Sequence, residues 1–152
     1  MPSLRRSIAD PLDPRHWPAH TSASIDDLTI AGVSLRCLVD WCGTPCVHST
    51  DPGSVIVTRV EAVEARADGG IDVWVDAELE HCAVRASDSR MIGRASTAHA
   101  VAAALRPAVV PAASASLPSD LRPGDLIAVP CATVPTLHEL QRSAVHPERW
   151  EG

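Results

Sequence analysis

The chain has 152 residues, 45% of them apolar, and a formal net charge of −6, which is the size of one domain. It contains no Phe, no Tyr and no Lys, and its four aromatic residues are all Trp. Without lysine it has neither the ε-amine that covalent pyridoxal phosphate chemistry requires nor a P-loop, and without a basic stripe it lacks the electrostatic footprint of a nucleic-acid binder.

The core must be packed from Val, Leu, Ile and Ala, and Val favours strands. No apolar run reaches transmembrane length, and Arg5 and Arg6 precede no apolar stretch, so neither a membrane span nor a signal peptide is expected. Five cysteines without a secretory signal are expected as free thiols in a reducing cytoplasm.

Residues 1–24, rich in Pro, Arg, Ser and His, predict an extended or disordered lead-in, with Trp17-Pro18 as an anchor on the domain. A single β-rich domain over 25–145 and a polar tail over 146–152 complete the layout. Leu28-Thr29-Ile30 predicts a short strand. Ser34 predicts an N-cap for a helix through Trp41 with Leu35, Leu38 and Val39 on one face, ended by Gly43-Thr44-Pro45. Cys46-Val47-His48 is a brief extended piece, and Asp51-Pro52-Gly53 a turn. From Val57, the Val55–Glu64 run alternates as a half-buried strand. Asp68-Gly69-Gly70 then turns it into a second alternating run, Ile71–Leu79, as a hairpin. His81–Ser89 has no clear pattern.

Arg94–Leu105 has the alanine content of a helix, with a barrel strand as the competing assignment. Pro107–Ser119 predicts an extended linker. Pro123-Gly124-Asp125 is a turn tripeptide in front of the clearest strand signal, Leu126–Val129, which Pro130 should stop. Thr136–Ser143 has helical character. The sum is a mainly β fold, a small barrel or sandwich with one or two short helices.

Two stretches carry a resemblance. Trp17-Pro18, Leu28–Leu35 and Gly43-Thr44-Pro45 resemble the N-terminal segment of the diaminopimelate decarboxylase family. Leu117–Pro130, LPSDLRPGDLIAVP, is similar to a late strand of that family, in the same order. The resemblance implies the all-β domain that accompanies the pyridoxal phosphate barrel in group IV decarboxylases, a fold shared in outline with the C-terminal domain of alanine racemase. It covers about a third of the chain, with Val55–Leu79 as a weaker match. The intervening barrel of roughly 200 residues is missing, together with its lysine and glycine-rich phosphate loop. Val110–Ser116 replaces the family's CESGD substrate motif, and Thr133-Val134-Pro135 stands near its cofactor-contacting Tyr. The fold carries over; the family's active-site residues and its cofactor do not.

Several residues are candidates for chemistry. Cys42, Cys46 and His48 could place two thiolates and an imidazole on one metal ion, although a zinc knuckle needs a second ligand pair, for which His81-Cys82 is the only candidate, and plain core thiols are the ordinary alternative. Asp72, Asp76, Glu78 and Glu80 fall on one face of a strand, with His81 beside them. Asp76 and His81, with His99, are the candidate acid–base groups; a solvated polar face is the alternative. Asp88-Ser89-Arg90, and Arg94 with His99, could meet an anionic ligand or a carboxylate.

Three functions follow in order. The first is a detached β domain, a pseudoenzyme or accessory subunit that docks on a barrel-type protein or pairs as a homodimer. The second is a small cofactor-free cyclase, isomerase or hydrolase with a small-molecule ligand in the barrel pocket. The third is a metal-binding module through Cys42, Cys46 and His48.

Overall fold

The structure, a computed structural model, describes residues 12–50, 53–79, 82–106 and 115–141. Ten strands and two short helices follow in order: β1 (Thr21–Ala23), β2 (Leu28–Ile30), β3 (Val33–Ser34), α1 (Leu35–Cys42), β4 (Cys46–Ser49), β5 (Ser54–Ala65), β6 (Ile71–Val75), β7 (Arg90–Ile92), β8 (Ala100–Arg106), β9 (Ala115–Pro118), β10 (Leu126–Cys131) and the one-turn α2 (Leu137–Leu140). Six strands wrap in the order β7-β10-β5-β6-β8-β9, and β4 adds a further partner to β5. Because β7 comes back beside β9, the sheet is a nearly closed barrel. A second antiparallel sheet, β1-β2-β3, is not strand-paired to it.

β5 organises the barrel. β10 pairs along one side of it, Leu126 opposite Arg59 through Cys131 opposite Ser54. On its other side β4 pairs with Ser54–Val57 and β6 with residues from Val60 to Ala65, with a bulge between Val60 and Ala62. The β5–β6 hairpin turns where expected, with Asp68 Oδ1 accepting from Gly70 N at 2.9 Å.

The expected half-burial of β5 holds only for its far end. Ser54 to Thr58 are all buried. Ile56 packs inside the barrel with Val73, Leu117, Ile127 and Val129. Val55 and Val57 point the other way, into a second cluster with Trp17, Leu28, Ile30, Leu35, Val39, Cys46 and Ala128. The small sheet and α1 cover this outer face, so both sides of the strand are apolar.

The packed unit therefore begins before residue 25. Trp17 is 6% exposed and β1 pairs with β2, both within the stretch expected as a lead-in. The tail expected over 146–152 lies outside the described residues.

α1 follows the sequence reading. Ser34 Oγ accepts from Cys37 N at 3.3 Å, and Leu35 and Val39 are buried. Gly43 ends the helix at φ +72°, donating its N–H to Val39 O, in a conformation glycine reaches without steric cost. Asp51 and Pro52 of the expected turn lie outside the described residues. Gly53 packs so closely that a Cβ there would sit 2.5 Å from Cys131 O.

Three elements differ from expectation. The alanine-rich stretch is strand from Ala100 to Arg106 instead of helix, parallel to β6 and antiparallel to β9. Helix propensity is worth under 1 kcal/mol per residue, roughly, and packing overrides it. Ala103 and Leu105 fill the barrel interior at alternate positions. Of the expected linker, Ala115–Pro118 is β9, while 107–114 lie outside the described residues. Pro130 does not stop β10, which continues to Cys131. The Pro130 carbonyl accepts from Arg85 N at 2.8 Å. Backbone N and O of one strand residue face the same side, so the missing N–H also points away from β5 and costs that pairing nothing.

α2 starts on a capping box, in which Thr136 Oγ1 accepts from Glu139 N and Glu139 Oε1 accepts from Thr136 N. Among the described residues no helix is long and apolar enough to cross a membrane.

Candidate functional site

The Pro123-Gly124-Asp125 turn is clamped to β5. Gly124 N donates to Val60 O, and Val60 N donates to Asp125 O, both at 2.8 Å. The Asp125 carboxylate is buried, and Arg94 takes it with both arms of its fork, Nε to Oδ1 at 2.8 Å and Nη2 to Oδ2 at 2.7 Å. Arg94 also reaches Asp120, through Nη2 to its carbonyl at 3.0 Å and Nη1 to Oδ2 at 3.3 Å. The hydrogen bond to Asp125 is the main reason that Arg94 holds its proton more tightly than usual. Ser96 Oγ, donating to Asp120 Oδ1 at 2.8 Å, is the main reason that Asp120 is more acidic than usual.

Arg59 stands beside this pair on β5. Its backbone N donates to Asp76 Oδ1 at 2.8 Å. Its Nε donates to Thr44 Oγ1 at 3.4 Å and its Nη1 to Gly124 O at 3.3 Å. Thr44 Oγ1 in turn donates to Asp76 Oδ2 at 2.5 Å. Arg59 thereby ties the turn after α1 to the turn before β10.

A cleft of about 230 Å³ opens over these groups. Arg36 and Asp40 of α1 form one wall, and Arg59, Gly93, Arg94, Gly124 and Asp125 are among the residues that line the rest. Arg36 is paired outside the cleft floor with Asp26 at 3.0 Å.

Of the candidate acid–base groups, Asp76 and His99 fall within the described residues. Asp76 uses both carboxylate oxygens as structural acceptors. His99 is exposed, with Nδ1 3.4 Å from Ser119 Oγ. His81 and Glu80 lie outside the described residues. The acidic stretch is also divided: Asp72 accepts from Arg66 at 3.4 Å and from Arg106 at 3.3 Å, apart from the partners of Asp76.

The metal set is not assembled either. Cys42 is exposed at the end of α1 and Cys46 is buried in β4. Burial, then the neighbouring Cys42 and Asp76, pushes the Cys46 thiol up to about 11. His48 is half-buried on the same strand. Among the described residues no group of three His, Cys, Asp or Glu is placed to hold a metal ion. The helix end carries Cys42 outward while strand pairing turns Cys46 into the outer core.

Arg94 does meet a carboxylate, as its sequence context suggested, but the carboxylate belongs to Asp125 and Asp120 of the same chain. Asp88 lies instead with Oδ2 2.8 Å from His16 Nδ1. Sequence reading missed Arg59 and Thr44. The available signal was a charged residue inside the valine-rich run VIVTRVEAVE, next to the five positions that are buried on both faces. No protein-family model and no curated protein sequence matches the chain.

Proposed function

We propose that this chain is a decarboxylase-like β domain without its cofactor barrel, which works by association as an accessory or assembly subunit. It docks on a separate barrel-type protein or on a second copy of itself. The observation that carries this reading is the joint at Arg59, where the segment around Thr44 and the segment around Gly124 are bonded to one side chain. Leu28, Ile30, Leu35 and Ala128, from the same two segments, share one core. The chain has no lysine and so no ε-amine for the family's reaction.

Trp41 adds support. It is 89% exposed at the end of α1, and Trp is the residue type most enriched among the anchors of protein interfaces. Reuse of the barrel as a cofactor-free enzyme has less behind it, because Asp76 is held by two structural donors and His99 sits on the surface with Ser119.

Co-expression with a pyridoxal phosphate barrel protein that lacks its own β domain tests the proposal. Capture of a stoichiometric complex, weakened by Trp41→Ser, is the expected result. A chain that elutes alone and monomeric in every case contradicts it.

A further inference from the structure

Among the described residues, one cation of the cleft between α1 and the Pro123-Gly124-Asp125 turn has no carboxylate partner. Arg94 is engaged by Asp125 and Asp120, and Arg36 by Asp26. Among the described residues no carboxylate pairs with the guanidinium of Arg59. Asp76 accepts from the backbone N of Arg59 and from Thr44, not from the Arg59 fork. The fork is nevertheless held in place, with Nε on Thr44 Oγ1 and Nη1 on the Gly124 carbonyl. Nη2 and the second proton of Nη1 remain as donors. A guanidinium fixed in this way loses little conformational freedom when it takes a planar oxyanion.

We infer that this cleft binds a small organic carboxylate, with Arg59 as the recognising group and Arg36 as the flanking positive charge. Asp125 does not oppose it, because Arg94 covers both of its oxygens. Asp40 on the wall disfavours a second negative charge, so the ligand class is a monocarboxylate rather than a phosphate dianion. Gly124 at the floor leaves open space where a side chain would stand, so the carboxylate can approach the Arg59 fork. The site does not depend on the chain associating with a partner.

The test is titration of the whole chain with sodium acetate, with sodium phosphate and with sodium chloride at matched ionic strength, read by ¹H–¹⁵N spectra. Acetate should shift the Gly93 and Gly124 amides and the Arg59 Nε–Hε signal along saturable curves. Arg59→Gln should weaken binding at least tenfold. Arg59→Lys, which keeps the charge without the fork, should also weaken it, and Arg36→Gln should weaken it several-fold. Equal shifts with chloride, or acetate shifts unchanged in Arg59→Gln, overturn the inference. Tighter binding of phosphate than acetate overturns the carboxylate assignment. If Arg59→Gln does not fold, the Arg59 Nε–Hε signal of the unmodified protein decides: a saturable shift with acetate alone supports the site, and no shift removes it.

Discussion

Arg94 and Asp125 form a two-armed ion pair, 2.7 and 2.8 Å long, that closes the turn leading into β10. The Asp125 side chain is only 7% exposed, so removing its partner strands a buried charge. Arg94→Gln should lower unfolding free energy by about 3 kcal/mol, measured by urea denaturation. Arg94→Lys should recover only part, because an ammonium cannot span both oxygens. A loss equal to that of an ordinary surface pair would show that the turn does not depend on it.

Asp76 is read as a structural acceptor. Asp76→Ala leaves Thr44 Oγ1 and the Arg59 N–H without their acceptor, and should cost about 2 kcal/mol, with Thr44→Ala costing about 1 kcal/mol. The double variant should fall short of the sum, since the two residues share one hydrogen bond. Full additivity would separate them.

Trp17 should belong to the fold although it lies far from the barrel strands in sequence. Trp17→Ala should cost about 3 kcal/mol, whereas Trp41→Ser, at an 89% exposed position, should leave stability nearly unchanged. Thermal unfolding of both variants checks the contrast.

Thiol reactivity follows from burial. Burial is the main cause that pushes Cys46 and Cys82 up to about 11, so at pH 8 only about one thiol in a thousand is ionised at each. Iodoacetamide at pH 8 should label the exposed Cys37 and Cys42 first. Unfolded, these two thiols would ionise near 9.0. The folded protein therefore binds more protons between pH 9 and 11, and stability should fall as pH rises through that range. Early labelling of Cys46, found by peptide mapping, would contradict its placement.

Local pattern revealed what local pattern encodes. The Ser34 cap, the Asp68-Gly69-Gly70 hairpin and the turn before Leu126 were legible because a few adjacent residues determine each. The β8 strand was not, because its alanines favour a helix until Ala103 and Leu105 find the barrel interior. Pro130 misled because its effect depends on which neighbouring strand its nitrogen faces. The cleft was illegible for a related reason. Arg59 meets Thr44 across 15 positions and Gly124 across 65, and no periodicity records such a meeting. Arg94 looked ready for an external carboxylate because its internal partner stands 31 positions away.

Sedimentation velocity is the most direct test of whether this chain acts by association. It should be run across micromolar concentrations, alone and with a barrel protein lacking a β domain. Association predicts species heavier than the 16.1 kDa chain that shrink with Trp41→Ser. A 16.1 kDa boundary for this chain that stays unshifted at every concentration, alone and beside the separate boundary of the barrel protein, would contradict it.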